Sequence, residues 1–348
     1  MTQSANITTG ISPTVKSLQL LHITHISPPY TPAKMSLTNL DLVNQTDAFP
    51  YPDANTDSYL ARINTYYQLR VSGYNYALGY MLPSVVEVFR NIPSWEIDDD
   101  DRILYLTAGS TSQERSKAVE TTLLAMRETG HFKVLNKWRG ELYAVYGVGK
   151  ELLFNVERSA SCLFGVVTYG VHLTAYTKKD GELKIWTPRR AKSKQTYGGM
   201  LDNAVAGGIA SGESPFESLV RECEEEASLQ EDLVRSKAKA CGTVTYWYVR
   251  DERAGGETGL MQPEVQYVYE IELPEDVVPK PGDDEVDEFY LWPVEEVQEA
   301  MRNGEFKPNC ALVVLDFLVR HGILTTENER DYIEIVSRLH RKLEFPTL

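Results

Sequence analysis

Three carboxylates on one helical turn, directly after a glycine-rich loop, constrain this chain more than any other feature of its sequence. The run GGIASGESPFESLVRECEEEASL, starting at Gly207, spaces Glu222, Glu225 and Glu226 at i, i+3 and i+4. On a helix all three share one face. Local signals place that helix: Ser214 suits the N-cap, Pro215 the first helical position, and Glu217 completes a capping box. Phe216, Leu219, Val220 and Cys223 fall towards the other side and can anchor the helix to a sheet. Three like charges on one face repel, so the pattern favours stability only when a hard divalent cation sits among them. An oxygen-only donor set suits Mg²⁺ or Mn²⁺. The glycines ahead of the helix let backbone approach the cation and phosphates closely.

The offsets within this run are fixed. Five residues separate Gly207 from Glu213, seven separate Glu213 from Arg221, and Glu222, Glu225 and Glu226 follow. This resembles the Nudix box, G-x5-E-x7-R-E-U-x-E-E-x-G-U, at every charged position. Ser228 stands where the final glycine of that pattern would be, and a local change at the helix exit is expected there. The resemblance implies that Glu222, Glu225 and Glu226 are metal ligands, one of them also serving as base for the attacking water. It further implies that Arg221 and Glu213 pair to hold the loop and helix in shape, and that the Gly207 carbonyl joins the coordination shell. A further carboxylate is expected from DDEVDEFYLWPVEEV, with Glu285 and Glu288 as candidates. The implied reaction is metal-assisted substitution at phosphorus.

The chain around the motif reads as globular. With 348 residues and 42% hydrophobic content it has room for two domains. A formal net charge of −15 argues against generic binding to nucleic acid or to an anionic membrane, and no apolar run is long enough to span one. The four cysteines are scattered without metal spacing, which reads as a reducing, cytoplasmic setting. Residues 1–36 are acid-poor and rich in Ser, Thr and Pro, a disordered tail or an organelle-targeting segment. An α/β domain is expected over 37–155, the hydrolase domain over 156–324, and a C-terminal helix packing on it over 325–348. Helices are expected at Pro83–Arg90, at Thr111–Thr129 with a capping box to Glu114, at Val294–Asn303 and at Glu327–Leu343. Strands cover Gly140–Val148, the segments flanking the Lys179–Glu182 hairpin turn, GTVTYWYVR and QYVYEIELP. The expected architecture is an α/β (α+β) chain: an α/β/α sandwich on a mixed sheet, preceded by a smaller α/β domain.

Substrate determinants are expected in the flanks. Arg189, Arg190, Lys192 and Lys194 concentrate positive charge in an acidic chain and could grip a terminal phosphate. Trp186, Tyr246, Trp247 and Tyr248 could stack on a flat ring. The stretches NKWRGELYAVYG, PRRAKSKQTYGGMLDNAVAGG, QPEVQYVYEIELP and PGDDEVDEFYLW resemble a two-domain Nudix subgroup that occurs fused to thiamine pyrophosphokinase. That resemblance implies hydrolysis of thiamine diphosphate, or of its oxo- and oxy-derivatives, to the monophosphate in metabolite repair. The rival substrate is a nucleoside-diphosphate compound of the ADP-ribose type. An isopentenyl diphosphate isomerase would need an NTCCSHP-like run, which is lacking, and a non-catalytic ligand sensor would have lost the metal glutamates, which are retained. The partner is therefore a small-molecule diphosphate, and a homodimer is compatible with the sequence.

Overall fold

The computed structural model describes residues 36–194 and 196–348. Expectations about the N-terminal tail fall outside them. Helices α1 (Asn39–Thr46) and α2 (Thr56–Ile63) lead into β1 (Tyr67–Val71), β2 (Gly79–Met81), α3 (Pro83–Val86), β3 (Trp95–Asp98) and β4 (Ile103–Leu106). These strands form a sheet in the order β2-β1-β4-β3, parallel only between β1 and β4. Helix α4 (Ser112–Thr129) begins with the expected reciprocal box between Thr111 and Glu114 and ends at Gly130 in the left-handed region. Strands β5 (Leu142–Tyr146) and β6 (Leu152–Glu157) pair as a separate hairpin, on which α4 packs. The helix expected over Pro83–Arg90 is shorter as an α-helix and tightens into a 3₁₀ turn over Glu87–Phe89.

After α5 (Ser161–Phe164) come β7 (Thr168–Lys179), β8 (Glu182–Arg190), β9 (Val205–Gly208), α6 (Pro215–Ala227), α7 (Glu231–Lys237), β10 (Lys239–Val249), β11 (Met261–Glu272) and β12 (Val286–Pro293). Helices α8 (Val294–Arg302), α9 (Pro308–Arg320) and α10 (Tyr332–Leu339) complete the chain. The second sheet runs β10-β11-β7-β8-β12, with β9 added beside β7 and a parallel pairing between β7 and β11. Asp180 (φ 51°) and Gly181 (φ 83°) supply the two positive φ angles of a tight hairpin turn between β7 and β8.

Alternation along the strands divides the core. Val171, Leu173 and Ala175 of β7 pack with Leu219, Val220 and Cys223 of α6. Tyr176, Val244 and Tyr246 face α9 on the other side. The result is an α/β/α sandwich on a mixed sheet behind a smaller α/β unit, as expected. Three details differ. Helix α9 was not foreseen, because ten of its 13 residues are buried and it has no polar face to give a helical period. The helix expected over Glu327–Leu343 is confined to α10. Helix α1, expected in the first domain, packs instead on α9, α10 and β10. There Asp47, at its end, is buried against Arg338 and Arg341.

Helix α6 leaves the sheet through Ser228, whose φ of 53° is left-handed. The Leu229 N–H reaches back to the Cys223 carbonyl at 3.0 Å, and the Ser228 N–H to the Glu224 carbonyl at 3.2 Å, so carbonyls of the last turn are satisfied. The backbone of the glycine-type exit is thus kept by a residue with a Cβ, at a cost of about 1 kcal/mol. Ser228→Gly is expected to raise unfolding stability by roughly that amount. The check is the denaturant midpoint at unchanged m-value; a lower midpoint would show that the serine is not strained.

Candidate active site

Helix α6 starts as its sequence dictates, with one exception. The Ser214 hydroxyl accepts from the Glu217 N–H at 3.4 Å, and Pro215 occupies the first turn. Glu217 does not return the bond: its carboxylate pairs with Arg235 at 2.7 Å, so the expected capping box is only half formed. Arg235 outcompetes the N-cap amide because it offers two charge-assisted donors.

Arg221 organises the acidic face. Its Nε and Nη2 donate in parallel to the two oxygens of Glu213, at 2.9 and 3.1 Å. Its Nη1 donates to Glu222 and to Glu225, each at 3.0 Å. The Ser218 hydroxyl adds a bond to Glu213 at 2.5 Å. These donors hold the Glu213 carboxyl below the usual carboxylate range, Arg221 contributing most.

Glu222 and Glu226 turn inward. At Gly207 a Cβ would stand 2.1 Å from the Glu222 carboxyl carbon, so the carboxyl group fills the space of the missing side chain. Glu226 is buried and accepts from the Ala206 N–H at 2.9 Å. Burial raises the Glu222 carboxyl despite the adjacent Arg221 guanidinium. Burial, and then the Glu222 charge, push Glu226 well above the ordinary range. Two inward carboxyl groups that disfavour each other's ionisation fit a hard cation, which would relieve both. Among the described residues no three acidic, His or Cys side chains converge on one point, since Glu225 is exposed and held by Arg221.

The flanking candidates divide. Lys194 forms an ion pair with Glu285 and lies close enough to Glu226 for the two charges to act on each other. The loop carrying Glu285 is tied to the end of α6 by Lys280 N–H to the Ala227 carbonyl at 3.0 Å. Arg190, however, is buried in a pair with Asp202 at 2.5 Å, and Arg189 reaches Glu305 and the Gly199 carbonyl. Neither is free to grip a phosphate. Glu288 is exposed on β12, opposite Arg189 in register. Trp186 is buried and bonds Thr177, while Trp247 is fully buried and stacks on Phe49. Both tryptophans are core residues, not ring platforms. Strand alternation sends Trp247 to one face and its neighbours Tyr246 and Tyr248 to the other.

Those two tyrosines line a cavity of about 240 Å³ that reaches Gly207 and Gly208. Its wall includes Gln266, Glu264 and Lys307 from the second sheet and its helices, and Arg139, Tyr143 and Arg158 from the chain before β7. Sequence reasoning missed these residues. They lie far from the motif in the chain, and only the fold brings them to it. Tyr143 is the closest approach: a Cβ on Gly208 would stand 2.0 Å from its hydroxyl.

Comparison with known proteins agrees with this division. Residues 169–310 match the family described as the NUDIX domain, and residues 60–168 match a domain of unknown function, DUF4743. The chain is 35% identical to the uncharacterized protein YJR142W of Saccharomyces cerevisiae, over 89% of this chain and 92% of that one. It is 37% identical to Nudix hydrolase 20, chloroplastic, of Arabidopsis thaliana, over 66% of this chain and 59% of that protein. Among solved structures, DR0079 from Deinococcus radiodurans aligns with 51% of this chain and 99% of its own, at 20% identity and a TM-score of 0.38. No helix among the described residues is long and apolar enough to cross a membrane.

The Tyr143–Gly208 contact is testable as a double-mutant cycle. Gly208→Ala is expected to destabilise by about 2 kcal/mol through overpacking. Tyr143→Phe, which removes the nearest atom, should return part of that loss. A coupling below about 0.5 kcal/mol would mean that the two residues are independent.

Proposed function

Because the chain belongs to the Nudix hydrolases, enzymes acting on phosphorus-containing anhydrides, we propose that it hydrolyses a diphosphate with the help of Mg²⁺ or Mn²⁺. The substrate is thiamine diphosphate or its oxo- and oxy-derivatives, and the products are the monophosphate and phosphate. The observation that carries the reaction is the inward pair Glu222 and Glu226, packed against the backbone of Ala206 and Gly207. No apolar-core or surface role accounts for two such carboxyl groups there. Support for the thiamine moiety is the resemblance of the flanking stretches to the thiamine-linked subgroup, together with a cavity lined by Tyr246 and Tyr248 that suits a flat heterocycle.

On this reading Glu222, Glu226 and the Gly207 carbonyl hold the cation, and Glu225 joins them on leaving Arg221. When bound, the cation neutralises charge developing on the diphosphate and lowers the pKa of a bound water. A carboxylate of the same face takes the proton as the water oxygen bonds to phosphorus and the anhydride P–O bond breaks. Arg221 and Glu213 brace the loop and helix, and Lys194 with Glu285 flanks Glu226.

Glu226→Gln and Glu222→Gln are each expected to cut metal-dependent turnover by ~100-fold or more while the fold persists. The assay is phosphate release with Mg²⁺ from thiamine diphosphate, its oxo- and oxy-forms, ADP-ribose and a dinucleoside polyphosphate. Preference for ADP-ribose would keep the chemistry and discard the thiamine assignment. Full activity in both variants would remove the ligand assignment.

A further inference from the structure

The wall of the cavity facing Gly207 and Gly208 belongs to the first domain, and it is basic. Lys137, Arg139 and Arg158 line it, in a chain of net charge −15. Among the described residues Arg158 has one carboxylate ion-pair partner, Glu141 at 2.7 Å, and it lies over the Tyr143 ring. Its charge also acts on Glu222. The Arg139 guanidinium makes no hydrogen bond or ion pair among the described residues. Partial burial, and then the Arg158 cation, hold it below its usual range. Two guanidinium groups thus line one space, and among the described residues Glu141 is the one carboxylate ion-paired with either of them.

The loops carrying these cations are fixed from beneath. Glu157 is buried, and its carboxylate accepts from the Arg139 N–H at 2.7 Å and the Gly140 N–H at 3.2 Å. It also accepts from the N–H and hydroxyl of Ser159, at 3.3 and 3.1 Å. One carboxylate therefore sets the positions of both arginine-bearing segments, and the hairpin holding them is clamped to the motif loop. The Ser211 N–H donates to the Leu142 carbonyl at 2.8 Å, and its hydroxyl to Asn155 at 2.6 Å. Two further atoms mark the cavity as a ligand site. Gln266 Oε1 and Thr46 Oγ1 are buried without a partner, and both residues line it. Buried polar atoms of this kind are ordinarily satisfied.

We propose that the first domain supplies the phosphate-binding half of the active site, with Arg139 and Arg158 gripping the diphosphate of the substrate across the cavity from the Glu222 face. This deepens the reading above and rests on it. The ligand class is a diphosphate monoester: its anionic end meets the arginines, and its organic group lies towards Tyr246, Tyr248 and Gln266. Guanidinium forks suit this task because they meet phosphate oxygens in pairs. Arg189, Arg190 and Lys194 of the basic run cannot substitute for them, since they are already bonded to Glu305, Asp202 and Glu285.

The test measures imidodiphosphate binding with Mg²⁺ by calorimetry, alongside hydrolysis of the preferred substrate, for the whole chain and for Arg139→Gln and Arg139→Lys. The Arg139 guanidinium bonds nothing among the described residues, so an unchanged melting temperature is expected in both variants. Arg139→Gln should weaken imidodiphosphate binding ~10- to 100-fold and raise KM more than it lowers kcat, with Arg139→Lys recovering part of the loss. Arg158→Gln should do the same, and the double variant more. Binding equal to wild type in Arg139→Gln and Arg158→Gln overturns the proposal, even if the wild type turns over every diphosphate offered. Conversely, a wild type that binds imidodiphosphate through Arg139 but hydrolyses nothing supports this grip while refuting the hydrolase reading.

Discussion

Two glutamates one helical turn apart on the inward side of α6, Glu226 buried and Glu222 largely so, are the constraint around which the second domain is arranged. A buried carboxyl group costs several kcal/mol unless it is neutralised, hydrogen-bonded or matched by a cation. Here the Ala206 amide satisfies Glu226, and the missing side chain of Gly207 makes room for Glu222. Both contacts come from β9, a short strand whose pairing with β7 sets Gly207 opposite Val171. The apolar side of α6, with Leu219 and Cys223 fully buried, locks the helix to the sheet. Burying such side chains contributes about 1.5–3 kcal/mol for each larger one. That anchoring is what allows a helix to hold an electrostatically unfavourable face in register.

The first domain meets this arrangement at its most sensitive point. Its β5–β6 hairpin lies along the loop between β9 and α6, through Ser211 and through the contact of Tyr143 with Gly208. A shift of the hairpin would therefore be felt at Gly207 and by the Glu222 carboxyl. Glu157 closes the connection, since the same carboxylate fixes the backbone of Arg139 and Ser159. The joint combines these hydrogen bonds with ring contact between Tyr146 of the hairpin and Tyr169 of β7. The hydrogen bonds fix direction, because they tolerate little angular error.

What the sequence made legible follows from how local each signal is. The acidic face, the N-cap at Ser214 and the start of α4 depend on residues within one or two turns, so their spacing alone defines them. The Asp180–Gly181 hairpin is local in the same way. The basic wall was hidden because Arg139 and Arg158 stand some way before the motif, and nothing in their own neighbourhood marks them as facing it. Conversely, Arg189 and Arg190 were conspicuous as a run, yet their partners Glu305 and Asp202 come from other segments. Trp247 misled for a related reason. Composition marks an aromatic cluster, but only the pleat decides which ring faces the cavity. Helix α9 escaped because a segment buried on all sides carries no periodic contrast.

Arg221 shows how the acidic face tolerates itself before any cation arrives. Its guanidinium touches three carboxylates, but not equivalently. Nε and Nη2 form two parallel bonds to Glu213, the fork geometry that is hardest to displace. Nη1 alone is shared between Glu222 and Glu225, one bond to each. A cation taking those two glutamates would break only the shared contacts and leave the fork whole. Glu213 would then keep the loop ahead of α6 in place through Arg221 and Ser218, as it does now. One side chain thus serves as a brace through two of its nitrogens and as a provisional counter-charge through the third. Lysine could not divide the work in this way, because a single ammonium group would have to let go of the loop in order to release the ligands.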